Sequence, residues 1–97
     1  MPYKIEIRPL AVVEILEAYD WYELQQKGLG ADFLDALDIF YSGLIKNPKT
    51  HSYFDKPVRQ GKIIRFPYLV VYEVFGTSIV VYSVFMAKRN PGRKRKI

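Results

Sequence analysis

The hydrophobic period of this 97-residue chain changes twice, and that change limits the folds open to it. Tyr3–Arg8 reads Y-K-I-E-I-R, with Tyr3, Ile5 and Ile7 on one face and Lys4, Glu6 and Arg8 on the other, the period-two pattern of a half-buried strand. Pro9 suits a strand end or a helix start. From Ala11 to Lys27 the period lengthens: Val12, Ile15, Leu16, Tyr19 and Tyr22 recur at helical spacing, and Gly28 supplies a stop. A second helix is predicted from Ala31 to Lys46 on Phe33, Leu34, Leu37, Phe40, Tyr41, Leu44 and Ile45. Asp32 and Asp35 lie near its start and Lys46 at its end, matching the helix dipole, and Asn47-Pro48 ends it. Residues 49–57 are polar and broken, and read as loop. Beyond them the chain turns to sheet. Val58–Phe66 is expected as a strand or strand pair with a break near Gly61. Tyr68–Phe75 and Ile79–Met86 are expected as strands of one hairpin around Gly76-Thr77-Ser78. The order strand, helix, helix, three strands (β-α-α-β-β-β) predicts an α+β fold, a helical hairpin packed on a mostly antiparallel sheet.

The length suits one domain over residues 1–97, with a basic tail at 88–97 that carries six Lys/Arg and no acid. Charge is divided along the chain. Residues 1–54 hold five Lys/Arg and eight Asp/Glu, a net of −3, and residues 55–97 hold ten and two, a net of +8. Such asymmetry suggests a polyanion or an acidic protein as partner. The absence of cysteine removes disulfides, thiolate nucleophiles and cysteine zinc sites. No apolar run approaches the roughly 20 residues of a membrane span, and M-P-Y-K-I-E-I-R-P is no signal-peptide core, so no membrane partner is expected.

Few residues point to catalysis. His51 is the sole histidine and is expected to be a solvated loop residue, without the spacing of a metal site. Asp32, Asp35 and Asp38 step along a helix start and read as a solvated face, so neither metal nor cofactor is expected. No serine has a nucleophile-elbow context and no glycine-rich phosphate loop occurs. What remains is basic: Lys56, Arg59, Lys62 and Arg65 around the first strand after the helices, and Lys88, Arg89 and Arg93–Lys96 at the end. Tyr53, Phe54, Phe66, Tyr68 and Tyr72 interleave with them, a combination that can hold phosphates and stack bases. Arg59, Lys62 and Arg65 are three apart, so a regular strand cannot put all three on one face, although a break at Gly61 could realign them. Tyr72 and Tyr82, in mid-strand, read as core.

Five segments in order resemble the RelE/ParE toxins of bacterial type II toxin–antitoxin pairs, also called plasmid stabilisation proteins. They are Y-K-I-E-I-R-P-L-A at the start, A-Y-D-W-Y-E-L-Q-Q-K-G-L-G-A-D-F (Ala18–Phe33), L-I-K-N-P (Leu44–Pro48), I-R-F-P-Y-L-V-V-Y-E-V (Ile64–Val74) and V-V-Y-S-V-F-M-A-K-R-N-P (Val80–Pro91). The resemblance spans almost the whole chain. It implies a cytoplasmic toxin neutralised by a cognate antitoxin protein, and its relatives divide by target. RelE-like members cut mRNA on the ribosome without a metal, with basic residues stabilising the phosphate transition state. ParE-like members inhibit DNA gyrase and are not nucleases.

Carried over by position, the nuclease residues would be Lys62, Arg65, Lys88 and Arg89. RelE-like nucleases carry G-Y-R-x-x-Y on the central strand, but here Pro67-Tyr68-Leu69-Val70-Val71-Tyr72 puts leucine where the arginine would stand. No tyrosine follows Tyr82, and Met86 replaces the histidine of many relatives. The long helical hairpin and F-P-Y-L-V-V-Y are more ParE-like. The resemblance therefore favours a gyrase inhibitor, with an mRNA endonuclease as the alternative and a degenerate chain that only binds its antitoxin as the third. Whether the chain is an enzyme stays open at this point. For the antitoxin or target, the expected contacts are Arg59, Arg65, Tyr68, Lys88, Arg89 and Arg93, receiving an acidic, partly apolar segment that folds on binding. An apolar sheet face left empty could also pair two copies as a homodimer.

Overall fold

A computed structural model describes residues 3–87. The elements run β1 (Lys4–Ile7), α1 (Pro9–Gln25), α2 (Leu29–Lys46), β2 (Tyr53–Asp55), β3 (Val58–Lys62), β4 (Tyr68–Phe75) and β5 (Ser78–Met86). They form a five-stranded sheet of order β1-β5-β4-β3-β2 with the helical hairpin packed on it. All neighbouring strands are antiparallel except β1, which lies parallel to β5, the pair being joined by the long connection from α1 through β4. The α+β fold is therefore as expected, with one strand more than the sequence suggested. That strand, β2, lies within the polar segment read as loop, where Tyr53 and Asp55 pair with Arg59 and Val58.

Helix α1 starts at Pro9, whose missing N–H costs nothing in the first turn. It ends at Gln25 rather than Lys27, and Gly28 caps α2 instead of stopping α1. The φ of Gly28 is 92°, a left-handed conformation that glycine adopts cheaply, and α2 begins at Leu29 rather than Ala31. The Glu23 carboxylate reaches across this turn and accepts hydrogen bonds from the Gly28 and Gly30 N–H groups, both at 2.9 Å. Two donors of a helix start are thus satisfied from the preceding helix.

The core lies between the helices and one sheet face. Phe33 and Leu44 of α2 are fully buried with Val70 and Tyr72 of β4 and Ile79, Val81 and Val84 of β5. Tyr22, Phe33, Phe66 and Tyr68 make an aromatic cluster at one end, with Tyr22 stacked on Phe33 and the other contacts edge to face, Tyr22 and Phe66 centroids lying 4.9 Å apart. At the other end Tyr72 donates its hydroxyl to the Pro48 carbonyl at 2.7 Å. Gly61 does not break β3. It stays paired with Val70 and lets the Phe40 ring lie on the strand, where an added Cβ would come within 2.5 Å of that ring. Between β4 and β5 the register steps from Val71–Ser83 to Tyr72–Val81, leaving Tyr82 as the extra residue of a bulge. Both Val81 and Val84 consequently face the core.

His51 also departs from the solvated-loop expectation. Its ring packs 5.2 Å from Phe40 and 6.1 Å from Tyr72. Burial, with the Arg59 charge second, holds its pKa below the usual histidine value.

Candidate partner-binding groove

Strand alternation gives the other sheet face to Val58, Gln60, Lys62, Leu69, Val71, Ser83 and Phe85. Val71 is buried yet stands apart from the main core cluster. It floors a cleft of about 440 Å³ with Ser83 and Phe85. Leu10 and Glu14 of α1 wall one side and Phe54 and Asp55 of β2 the other. The Phe54 and Phe85 rings meet edge to face at 6.4 Å. A second cleft of about 330 Å³ shares Glu14 and Phe85 with the first and continues along α1 past Glu17 to Trp21, with Val84 and Met86 opposite. Together the two make one groove across the open face of the sheet and the flank of α1.

Local sequence explains why α1 reaches this groove. Strand β1 pairs only with Ser78–Val81, and its continuation, Arg8, still donates to the Val81 carbonyl. Past that point α1 takes over the edge of β5. The Glu14 carboxylate accepts hydrogen bonds from the Ser83 hydroxyl and the Val84 N–H, both at 2.8 Å, and so stands in for a missing strand. On the same open face Tyr82 donates to Glu73 at 2.8 Å, and that bond holds the phenol in its protonated form and raises its pKa. Tyr82 is thus half-exposed at the groove rather than core, whereas Tyr72 is core as expected.

The apolar face of α1 is wider than one stripe. Ala11, Ala18 and Tyr22 are buried, while Val12 and Leu16, expected inside, are exposed. Leu10, Val13, Trp21 and Leu24 are exposed as well, with Leu24 at 83%. Helical spacing puts Leu10, Val13, Trp21 and Leu24 on one flank with Glu14 and Glu17. So wide an exposed apolar surface on one helix is the kind that marks an interaction site.

Among the described residues, Tyr68 is the one expected site residue that lines this groove. Arg59 lies on the helix side of β3, opposite Tyr72. It donates to the His51 carbonyl at 2.7 Å and to the Tyr53 hydroxyl at 2.9 Å, and its guanidinium lies 4.2 Å from the Tyr53 ring centre. Lys62 is exposed on the open side, opposite Leu69. Arg65 sits in the β3–β4 connection at φ 67°, 3.5 Å from Asp32 and 5.4 Å from the Phe66 ring centre. Because Gly61 remains in the strand, nothing realigns these three cations. Tyr68 is buried in the aromatic cluster. Burial raises its pKa, with Tyr22 second, and the residue also lines the α1 end of the groove. Lys88, Arg89 and Arg93 lie outside the described residues. Sequence reasoning missed Glu14, Asp55 and Trp21, and named Phe54 only as an aromatic beside the basic residues. The available signal was the surplus of apolar residues on α1: Leu10, Val13, Trp21 and Leu24 fall outside its predicted stripe.

Among the described residues no helix is long and apolar enough to cross a membrane, and no group of three or more acidic or histidine side chains could hold a metal ion. No family model matches the sequence. No curated protein matches it either. Among solved structures the chain is similar to one described as the chromosomal ParDE TA system from P. aeruginosa. The TM-score is 0.68 at 16% sequence identity, covering 89% of this chain and 97% of that one. At that identity the likeness is one of fold: two helices on a five-stranded, mostly antiparallel sheet.

Proposed function

We propose that the chain is the toxin of a type II toxin–antitoxin pair, held inactive by an antitoxin protein, and that it acts in the cytoplasm as a ParE-like inhibitor of DNA gyrase. It works by binding, without catalysis. The fold shared with a ParDE structure supports the toxin assignment. The observation that carries the binding mode is the lining of the groove. Its floor is mostly apolar, Val71 and Phe85 beside Ser83, and its walls bear Glu14, Glu17 and Asp55. Such a channel accepts protein side chains and repels a phosphodiester backbone. Leu69, at the position where RelE-like nucleases carry an arginine, lies on the same open face opposite Phe85. An apolar side chain there adds to a protein-docking surface and offers nothing to a scissile phosphate.

Target contact is assigned to the helical hairpin, which exposes Leu16, Leu24 and Ile39. Alanine at Lys62 and Arg65 should leave toxicity intact. Substitution of Leu16 and Leu24 by Lys should abolish it while the fold persists by circular dichroism. The reverse pattern would favour the endonuclease.

A further inference from the structure

The charge sense of the groove identifies the kind of segment it takes. Among the described residues lining both clefts, the charged ones are Glu14, Glu17 and Asp55, with no Lys, Arg or His. Glu14 sits at the centre, accepting from Ser83 and Val84, while Glu17 and Asp55 are exposed on the rim. The floor between them is Val71, Ser83 and Phe85, with Phe54 in the β2 wall and Trp21 farther along α1. An extended peptide laid on such a floor sends every second side chain down and the intervening ones up and away from it, within the field of the acidic rims. The downward positions favour apolar residues and the others favour cations, because like charges facing across an interface are penalised.

We propose that this groove docks an extended partner segment in which apolar residues are interspersed with Lys or Arg. Resting on the toxin reading above, the segment belongs to the antitoxin, and its charge is opposite to the acidic segment expected from the basic second half of the chain. Of the described cations that prompted that expectation, Arg59 is tied to His51 and Tyr53, Arg65 faces Asp32, and Lys62, although exposed on the open face, lines neither cleft.

Trp21 supplies the probe, since it is the sole tryptophan, is 51% exposed and lines the groove. The full chain is titrated with two synthetic peptides of roughly ten residues, about 33 Å when extended. Both alternate Leu and Val with a charged residue, Lys in one and Glu in the other. The Lys peptide is expected to change Trp21 emission saturably. The Glu17→Lys/Asp55→Lys variant should weaken that binding by about tenfold, and added salt should weaken it further. Equal or tighter binding of the Glu peptide would overturn the proposal, as would indifference of the Lys peptide to the rim variant. If the Lys peptide binds only after Arg93, Lys94, Arg95 and Lys96 are replaced by Gln, the occupant is a segment of this chain and the proposal is wrong.

The toxin reading is separated from this one by co-expression with the product of the adjacent gene. An antitoxin that restores growth but binds the rim variant as tightly as the wild type would sink the charge assignment and leave the toxin reading standing. A groove selective for the Lys peptide, in a chain that neither arrests growth nor retains the adjacent product, would sink the toxin reading.

Discussion

The Glu14 carboxylate of α1 lies 2.8 Å from the Val84 N–H of β5, joining residues 70 positions apart in sequence. The same carboxylate takes the Ser83 hydroxyl. Replacement of Glu14 by Ala leaves a part-buried backbone donor without its acceptor and should cost about 1–3 kcal/mol. Glu14→Gln retains an amide oxygen at the site and should cost less than half as much. Urea denaturation of both variants checks the order.

Phe40 rests on Gly61, so Gly61→Ala should destabilise by about 1–3 kcal/mol through overpacking. The Phe40 ring and the His51 ring close the space from two sides. A thermal midpoint several degrees below the wild type is expected. An unchanged midpoint would mean that the ring can move aside without loss.

Burial raises the Tyr72 phenol to about 12, only partly offset by Arg59, and its proton is the one donated to the Pro48 carbonyl. The folded state therefore binds this proton more tightly than the unfolded chain, whose tyrosines titrate near 10. The resulting stabilisation is complete below pH 10 and is lost as pH rises from 10 towards 12. Tyr41, also pushed to about 12 by burial and then by Asp38, acts in the same window. Tyr72→Phe should be less stable at neutral pH and should lose less stability over that alkaline range than the wild type.

His51 produces the opposite limb. Its folded pKa is lowered, so its contribution is complete above the unfolded value of 6.5 and is lost as pH falls through the folded value. His51→Gln should flatten the stability profile just below pH 6.5. The imidazole signal of the wild type, followed by NMR, should titrate below that value.

The period switches made most of the fold legible. The β4 run Tyr68–Phe75 is the strand itself, and the hairpin with β5 follows from its short glycine turn. What was not legible depends on distant partners. Tyr53–Asp55 is too short to show alternation and becomes a strand only because β3 is beside it. Gly61 looks like a break until Phe40 is seen lying on it. On α1 the choice between a Val12/Leu16 face and an Ala11/Ala18/Tyr22 face is settled by packing against the sheet and α2, which the helix's own period does not show. The candidate site was least legible. Counting by two already separates Arg59 from Lys62, but the groove is assembled from α1, β2, β4 and β5, which no local pattern joins.

Inducible expression in a bacterium, read by primer extension on messages and by a gyrase supercoiling assay, is the most direct test of the proposed activity. A binding poison gives growth arrest with intact messages and blocked supercoiling, both unaffected by alanine at Lys62 and Arg65. Cleaved messages with normal supercoiling, abolished by those same substitutions, would contradict it and make the chain a nuclease.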